Sequence, residues 1–332
     1  MTTRSLALIT ASLVSLPALA ADAQQSPRSV ADTWHDSAPH TTKFVTVAAN
    51  VKLHYLDFGG VGEPVVLLAG LGNTAHAFDD FAPRLTDRFR VIAITRRGFG
   101  ESSHPDGGYD TPRLVEDIRQ ALDELQLRRV ILIGHSIAGE EMTRFASTYP
   151  DRVSKLVYLD AAYDRVWGDA LMTARFPVPP DVPHPPQPGS ADTASAAAYV
   201  AFVHRTRGVN IPEADIRARY GFDGWNEDTT PASRAMGVER PNYAGVRAPA
   251  LAIYAVTDYV RQMEPWQAAD REHSALLENV NTATEAVMLQ LRNQFRDEVR
   301  GGRILEIHGG HHWVFVSHRE VVVRAIREFL LP

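Results

Sequence analysis

The chain has 332 residues, 45% hydrophobic and 22% charged, an ordinary globular balance for one large α/β domain with an insertion. A net charge of -6 and the lack of any basic run or stripe speak against a nucleic-acid or anionic-membrane partner. With no cysteine, disulfides, thiolate metal sites, a lipoprotein anchor and a cysteine nucleophile are all excluded.

The first 20 residues have the order of a secretory signal. Arg4 is followed by the apolar run Leu6 to Leu16, then by Pro17 and the small-x-small site Ala18-Leu19-Ala20. Cleavage is expected after Ala20, with Ala23 as the second choice, and the product is expected in the periplasm or the medium. The apolar run is too short to span a bilayer, so no stable membrane anchor is expected. Residues 21–41 are small and polar and read as a flexible lead-in.

From Lys43 the pattern is strand-like. Phe44, Val45 and Val47 lead to a turn at Ala49-Asn50, and Val51 to Phe58 complete a hairpin. Short apolar runs follow at Val65–Ala69, Val91–Ile94, Val130–Ile133, Leu156–Leu159, Ala250–Tyr254 and Ile304–Ile307, as strands buried on both faces require. Helical patterns separate them. The clearest has Thr111 as N-cap, Pro112 in its first turn and Leu114, Ile118, Leu122 and Leu125 on one face; the last runs from about Arg319 to Leu330. This alternation predicts an α/β fold with a mostly parallel sheet covered by helices on both faces, within a domain spanning residues 42–332.

Between about Ala162 and Val246 no buried-strand run occurs. The proline-rich stretch Phe176 to Pro188 cannot be regular helix or central strand, whereas Thr193–Thr206 and Pro212–Tyr220 suit helices. This stretch reads as an inserted helical cap. Its aromatics Tyr199, Phe202, Phe222 and Trp225, with Trp167, are candidates for an apolar pocket, though such residues are more often packed core.

The strongest chemical signal is Val130-Ile-Leu-Ile-Gly-His-Ser136-Ile-Ala-Gly139. An apolar strand runs into Gly-x-Ser-x-Ala and then a helix, the context of a nucleophile elbow. Small residues allow the tight turn that presents Ser136, and the turn aims the Ile137 amide at a developing oxyanion. A serine needs a base, expected in the loop after the last strand. There His308 belongs to the strand end, and of the adjacent His311 and His312 the second, directly before Trp313, is favoured.

These features resemble the α/β-hydrolase superfamily over nearly all of the chain after the signal. Leu67-Leu-Ala-Gly70-Leu71-Gly72-Asn73 stands where that family has His-Gly and its oxyanion loop. Thr95-Arg-Arg-Gly98-Phe-Gly100-Glu-Ser102 is similar to its Arg-Gly-x-Gly-x-Ser segment. Ala69 replaces the usual histidine, and Thr95 stands where an aspartate is common. The resemblance implies the Leu71 amide as second oxyanion donor. It favours Asp258, just past the end of the strand begun at Ala250–Tyr254, as the acid that orients His312, with Asp160 after the earlier strand as the alternative. A serine at the elbow disfavours the dehalogenase and epoxide hydrolase chemistries of this fold.

Other charged residues read as structural. Glu140 and Glu141 sit in the first turn of the helix after the elbow, where the helix dipole favours anions. Arg96 and Arg97 bridge loops, and His135 packs beside the nucleophile. No His-Glu-x-x-His or phosphate loop occurs, so neither a metal nor another cofactor is expected. The expected activity is hydrolysis of a small carboxylic ester or lactone through an acyl-enzyme on Ser136. Amide, peptide or carbon–carbon bond hydrolysis and a lyase reaction on the same triad are the alternatives, and a non-catalytic small-molecule binder comes last.

Overall fold

A computed structural model describes residues 34–176, 179, 181–220, 239–256 and 264–331. The signal segment, Phe222, Trp225 and Asp258 lie outside the described residues. The strands are β1 (Thr41–Ala48), β2 (Val51–Gly59), β3 (Pro64–Leu68), β4 (Arg90–Ile94), β5 (Val130–His135), β6 (Val153–Leu159), β7 (Ala250–Val256) and β8 (Arg303–His308). They form one sheet in the order β1-β2-β4-β3-β5-β6-β7-β8. β2 is antiparallel to β1 and β4, and every later pairing is parallel.

The unbroken apolar runs follow from burial on both faces. Val66, Leu68, Ile92 and Leu132 enter one core, and their neighbours Val65, Leu67, Val91, Ile131 and Ile133 enter the other. Strand periodicity sends alternate side chains to opposite faces, so both must be apolar. Leu132 is fully buried, and truncation to alanine at such a site costs about 2–5 kcal/mol.

Seven longer helices are described: α1 (Thr111–Glu124), α2 (Ala138–Thr148), α3 (Arg165–Arg175), α4 (Ala196–Arg207), α5 (Glu213–Tyr220), α6 (Ser274–Glu298) and α7 (Arg319–Leu330). α1 buries Leu114, Val115, Ile118, Ala121 and Leu122. Its N-cap is Asp110 rather than Thr111: the Asp110 carboxylate accepts the Arg113 amide at 3.0 Å, so Thr111 is already the first helical residue. α7 begins and ends where the apolar spacing placed it, with Val322, Ile326 and Phe329 buried. Among the described residues, no helix is long and apolar enough to cross a membrane.

α3, α4 and α5 lie between β6 and β7. Tyr199 and Phe202 of α4 are buried in the core on one face of the sheet, and Trp167 of α3 packs against the core on the other. Tyr199 and Phe202 are thus packed core, and Trp167 is partly buried against it. Residues 34–40, expected as part of a flexible lead-in, instead pack onto the fold. Arg217 of α5 lies over the Trp34 ring at 4.5 Å, and Asp36 and His40 meet His76 and Asp79.

Candidate active site

β5 turns sharply at Ser136, which has φ of 56°, a left-handed conformation that costs a non-glycine residue free energy. The surroundings hold it there. The Ser136 amide donates to the Leu159 carbonyl at 3.2 Å. A β-carbon on Gly134 would stand 2.3 Å from Met142 Sδ, and one on Gly139 only 1.9 Å from the Ala161 carbonyl oxygen. The small residues of the motif are therefore required by the close approach of α2 to β5 and to the end of β6.

His312 lies in the loop after β8 with its Nδ1 2.6 Å from Asp160 Oδ2. A carboxylate only accepts, so Nδ1 carries the proton and Nε2 presents a lone pair. Ser136 Oγ and His312 Nε2 are both buried, and neither has a hydrogen-bond partner among the described residues. His311 is turned elsewhere: its Nδ1 accepts the Trp313 amide at 3.1 Å and its Nε2 lies 3.7 Å from Glu264. His308 is exposed at the end of β8.

The carboxylate on His312 is thus Asp160, the alternative acid of the sequence reading; the favoured Asp258 is outside the described residues. Asp160 follows β6 directly, at φ of 49°. Its amide donates to the Ile253 carbonyl at 2.7 Å, and its Oδ1 accepts the Tyr163 hydroxyl at 2.5 Å and the Ala255 amide at 3.1 Å. Burial and the Asp160 charge push the Tyr163 phenol well above its ordinary range, which keeps it a donor. Tyr163 carried no mark in the sequence beyond its place three residues after Asp160.

His135 is buried, and its Nε2 donates to the His312 carbonyl at 3.1 Å; the two rings are 4.6 Å apart. Burial, and then the neighbouring His312, hold its pKa well below the ordinary histidine value, so it is neutral. It props the histidine loop.

The loop after β3 passes directly beside Ser136. A β-carbon on Gly70 would lie 2.7 Å from His135 Nδ1 and 3.2 Å from Ser136 Cβ. The Asn73 amide closes a turn onto the Gly70 carbonyl at 3.2 Å, with Gly72 at φ of 75° supplying its left-handed residue. That bond uses the Asn73 amide and not the Leu71 amide. Arg96 fixes the same loop from below, donating to the carbonyls of Ala69 at 2.9 Å and Gly70 at 3.3 Å while its Nε reaches Glu141 at 2.6 Å. Arg97 makes a two-pronged bond to Asp117 of α1 at 2.5 and 2.7 Å. Glu140 and Glu141 are both buried, so arginine partners, not only the helix dipole, hold them. Glu140 faces Arg165 at 3.3 Å, and burial pushes its carboxyl up to about 7 against the pull of that arginine.

The cap reaches this loop through Asp215 of α5. Fully buried, Asp215 accepts Asn73 Nδ2 at 2.7 Å and both the amide and hydroxyl of Thr74 at 2.8 Å. A second tie runs from Arg207 of α4 to Glu264 at 2.9 Å and on to His311. Neither link was legible in the sequence, because each joins residues far apart along the chain.

A family model described as the alpha/beta hydrolase fold matches residues 63–204. A serine hydrolase-like protein of Danio rerio is 39% identical over 101 residues, 30% of this chain and 31% of that protein. A 2-(acetamidomethylene)succinate hydrolase of Mesorhizobium japonicum is 33% identical over 101 residues, 30% of this chain and 36% of that one. The alignments span 31% to 44% of the length of the first such relatives. Among solved structures, an E-2-(acetamidomethylene)succinate hydrolase superposes with a TM-score of 0.62 at 21% identity, covering 88% of this chain and 99% of that one, a likeness of fold. With this sheet order, the chain has the α/β-hydrolase fold, and residues 63–204 match the model of that family.

Proposed function

We propose that the protein is an exported serine hydrolase that cleaves a small carboxylic ester or lactone through an acyl-enzyme. The observation that carries this reading is the state of two buried atoms. Ser136 Oγ and His312 Nε2 have no hydrogen-bond partner among the described residues, while the opposite nitrogen of His312 is held by Asp160. The Asp160 carboxylate fixes the tautomer that leaves His312 Nε2 bearing the lone pair, as a general base requires.

In the reaction His312 Nε2 takes the Ser136 proton as Oγ attacks the carbonyl carbon. The carbonyl π electrons move onto oxygen, which the Ile137 and Leu71 amides stabilise. Collapse expels the alcohol, protonated by His312, and leaves the acyl group on Ser136. Water, deprotonated by His312, then attacks that ester and releases the acid, returning the proton to Oγ. Asp160 stabilises the imidazolium formed in each half. The proximity of Gly70 to Ser136 Cβ supports the place of the Leu71 amide. The N-terminal pattern through Ala20 supports export.

The test is hydrolysis of a p-nitrophenyl ester series and of simple lactones by the protein beside Ser136→Ala. Turnover with a burst of one equivalent, absent from the variant, supports the reading. A folded protein that cleaves amides alone, or turns over substrate without an acyl-enzyme, moves it to amidase or lyase chemistry. Turnover that survives Ser136→Ala removes the nucleophile assignment.

A further inference from the structure

Asp36 and His40, where the chain enters the fold, meet His76 and Asp79 on the segment that follows Asn73-Thr74. One ligand atom from each of the four side chains lies within 4.8 Å of all the others. His40 Nε2 is 3.0 Å from Asp36 Oδ2 and 3.6 Å from Asp79 Oδ1; His76 Nδ1 is 3.2 Å from Asp36 Oδ2 and 2.9 Å from Asp79 Oδ2. A tetrahedral ion with bonds of about 2.0–2.1 Å places its ligand atoms roughly 3.3 Å apart. The four measured separations, two of which use different oxygens of Asp79, bracket that edge.

Hydrogen bonding among the four does not use every donor and acceptor. The Asp79 side chain is 6% exposed, yet among the described residues its Oδ1 has no hydrogen-bond partner, and it lies 3.6 Å from His40 Nε2. A buried carboxylate oxygen in that state is costly, and a cation among the four atoms satisfies it. His54, buried and stacked 5.6 Å from His76, flanks the cluster.

We propose that Asp36, His40, His76 and Asp79 bind one zinc-like divalent ion. Two imidazoles disfavour Ca²⁺ and Mg²⁺, which take oxygen ligands, and suit Zn²⁺. Two carboxylates neutralise the ion's charge with both histidines unprotonated. Four protein ligands leave no open position, which marks a structural and not a catalytic site. The ion joins residues 36–40 to the segment just beyond the loop beside Ser136, so its binding free energy adds to the stability of that junction. The expectation of no metal rests on the lack of a compact motif in the sequence; the proposed site is assembled instead from two pairs distant along the chain.

The whole chain, treated with chelator and then desalted, is titrated with Zn²⁺ and separately with Co²⁺. One equivalent of Zn²⁺ should bind, the melting temperature should rise by several degrees, and Co²⁺ should give the intense visible bands of a tetrahedral site. His40→Gln and Asp36→Asn, both outside the sheet, should weaken binding by more than about 100-fold, since even outer-shell partners of a metal are worth 10–100-fold. Unchanged far-ultraviolet circular dichroism would show the variants folded. No binding of Zn²⁺ to the wild type at micromolar concentration overturns the site. So does a pale octahedral Co²⁺ spectrum, or stoichiometric binding retained in the variants. If either variant does not fold, the wild-type stoichiometry and Co²⁺ spectrum decide alone.

Discussion

Asp160 Oδ2 stands 2.6 Å from His312 Nδ1, and its other oxygen is fully engaged by Tyr163 and Ala255. The carboxylate therefore cannot rotate away from the imidazole without losing two further bonds. Asp160→Asn should present an amide that no longer fixes the productive tautomer. We expect kcat to fall by about three to four orders of magnitude with KM little changed. Asp258→Asn, assayed on the same ester, should stay within a few-fold of wild type. The reverse ranking would return the acid to the strand β7 end.

Tyr163→Phe removes one hydrogen bond to that carboxylate and little volume. Bonds to charged groups are worth about 1.5–3 kcal/mol, so a loss of about tenfold or more in kcat is expected. A purely structural hydroxyl would lower the melting temperature and leave kcat unchanged; steady-state kinetics beside thermal melts separate the two.

Asp215→Ala leaves Asn73 Nδ2, the Thr74 amide and the Thr74 hydroxyl without their acceptor in a buried place. Breaking such a buried charged network costs about 3–5 kcal/mol. The midpoint of urea unfolding should drop accordingly, and activity should fall because the same loop carries Leu71. Asp215→Asn, which keeps an acceptor, should be the milder change.

The pH dependence of stability should carry the mark of His135. Its folded pKa lies well below its unfolded value near 6.5, because burial opposes the charged form. Above pH 6.5 both states are neutral there and nothing is lost. Below it the unfolded chain takes a proton that the native state refuses, so stability declines as the pH falls. His135→Gln should lose less than wild type between pH 6.5 and 5, by about 1–2 kcal/mol. Denaturant melts at the two pH values check this, and equal slopes for both proteins would contradict it.

Much of this was readable in the chain because it rests on local necessity. Ser136 was legible because a strand, a tight turn of small residues and a helix follow one another without a gap. His312 was legible from its loop, though its distinction from His311 came only from where each ring points. The acid was not. β6 and β7 both end in apolar runs with an aspartate beyond, at Asp160 and Asp258, and periodicity weighs them equally. What brings Asp160 to the histidine loop is a left-handed turn, with Tyr163 behind it. Asp110 and Thr111 posed the same difficulty in miniature: two good capping residues side by side, decided by one side-chain bond to Arg113. The contacts of Asp215 and of Asp36 with His76 join segments whose proximity only the sheet order creates.

The buried carboxylate of Asp215 has a consequence for anyone who would exchange caps between relatives to alter what the protein accepts. The cap and the sheet domain beneath it are not separable cassettes, because Asn73 and Thr74 are shaped to a partner in α5. A transplanted cap without an aspartate in register would orphan those donors. A graft that carries the pair Asn73-Thr74 together with its new helix would preserve the seam, and the rest of the cap surface could then be varied without disturbing the loop beside Ser136.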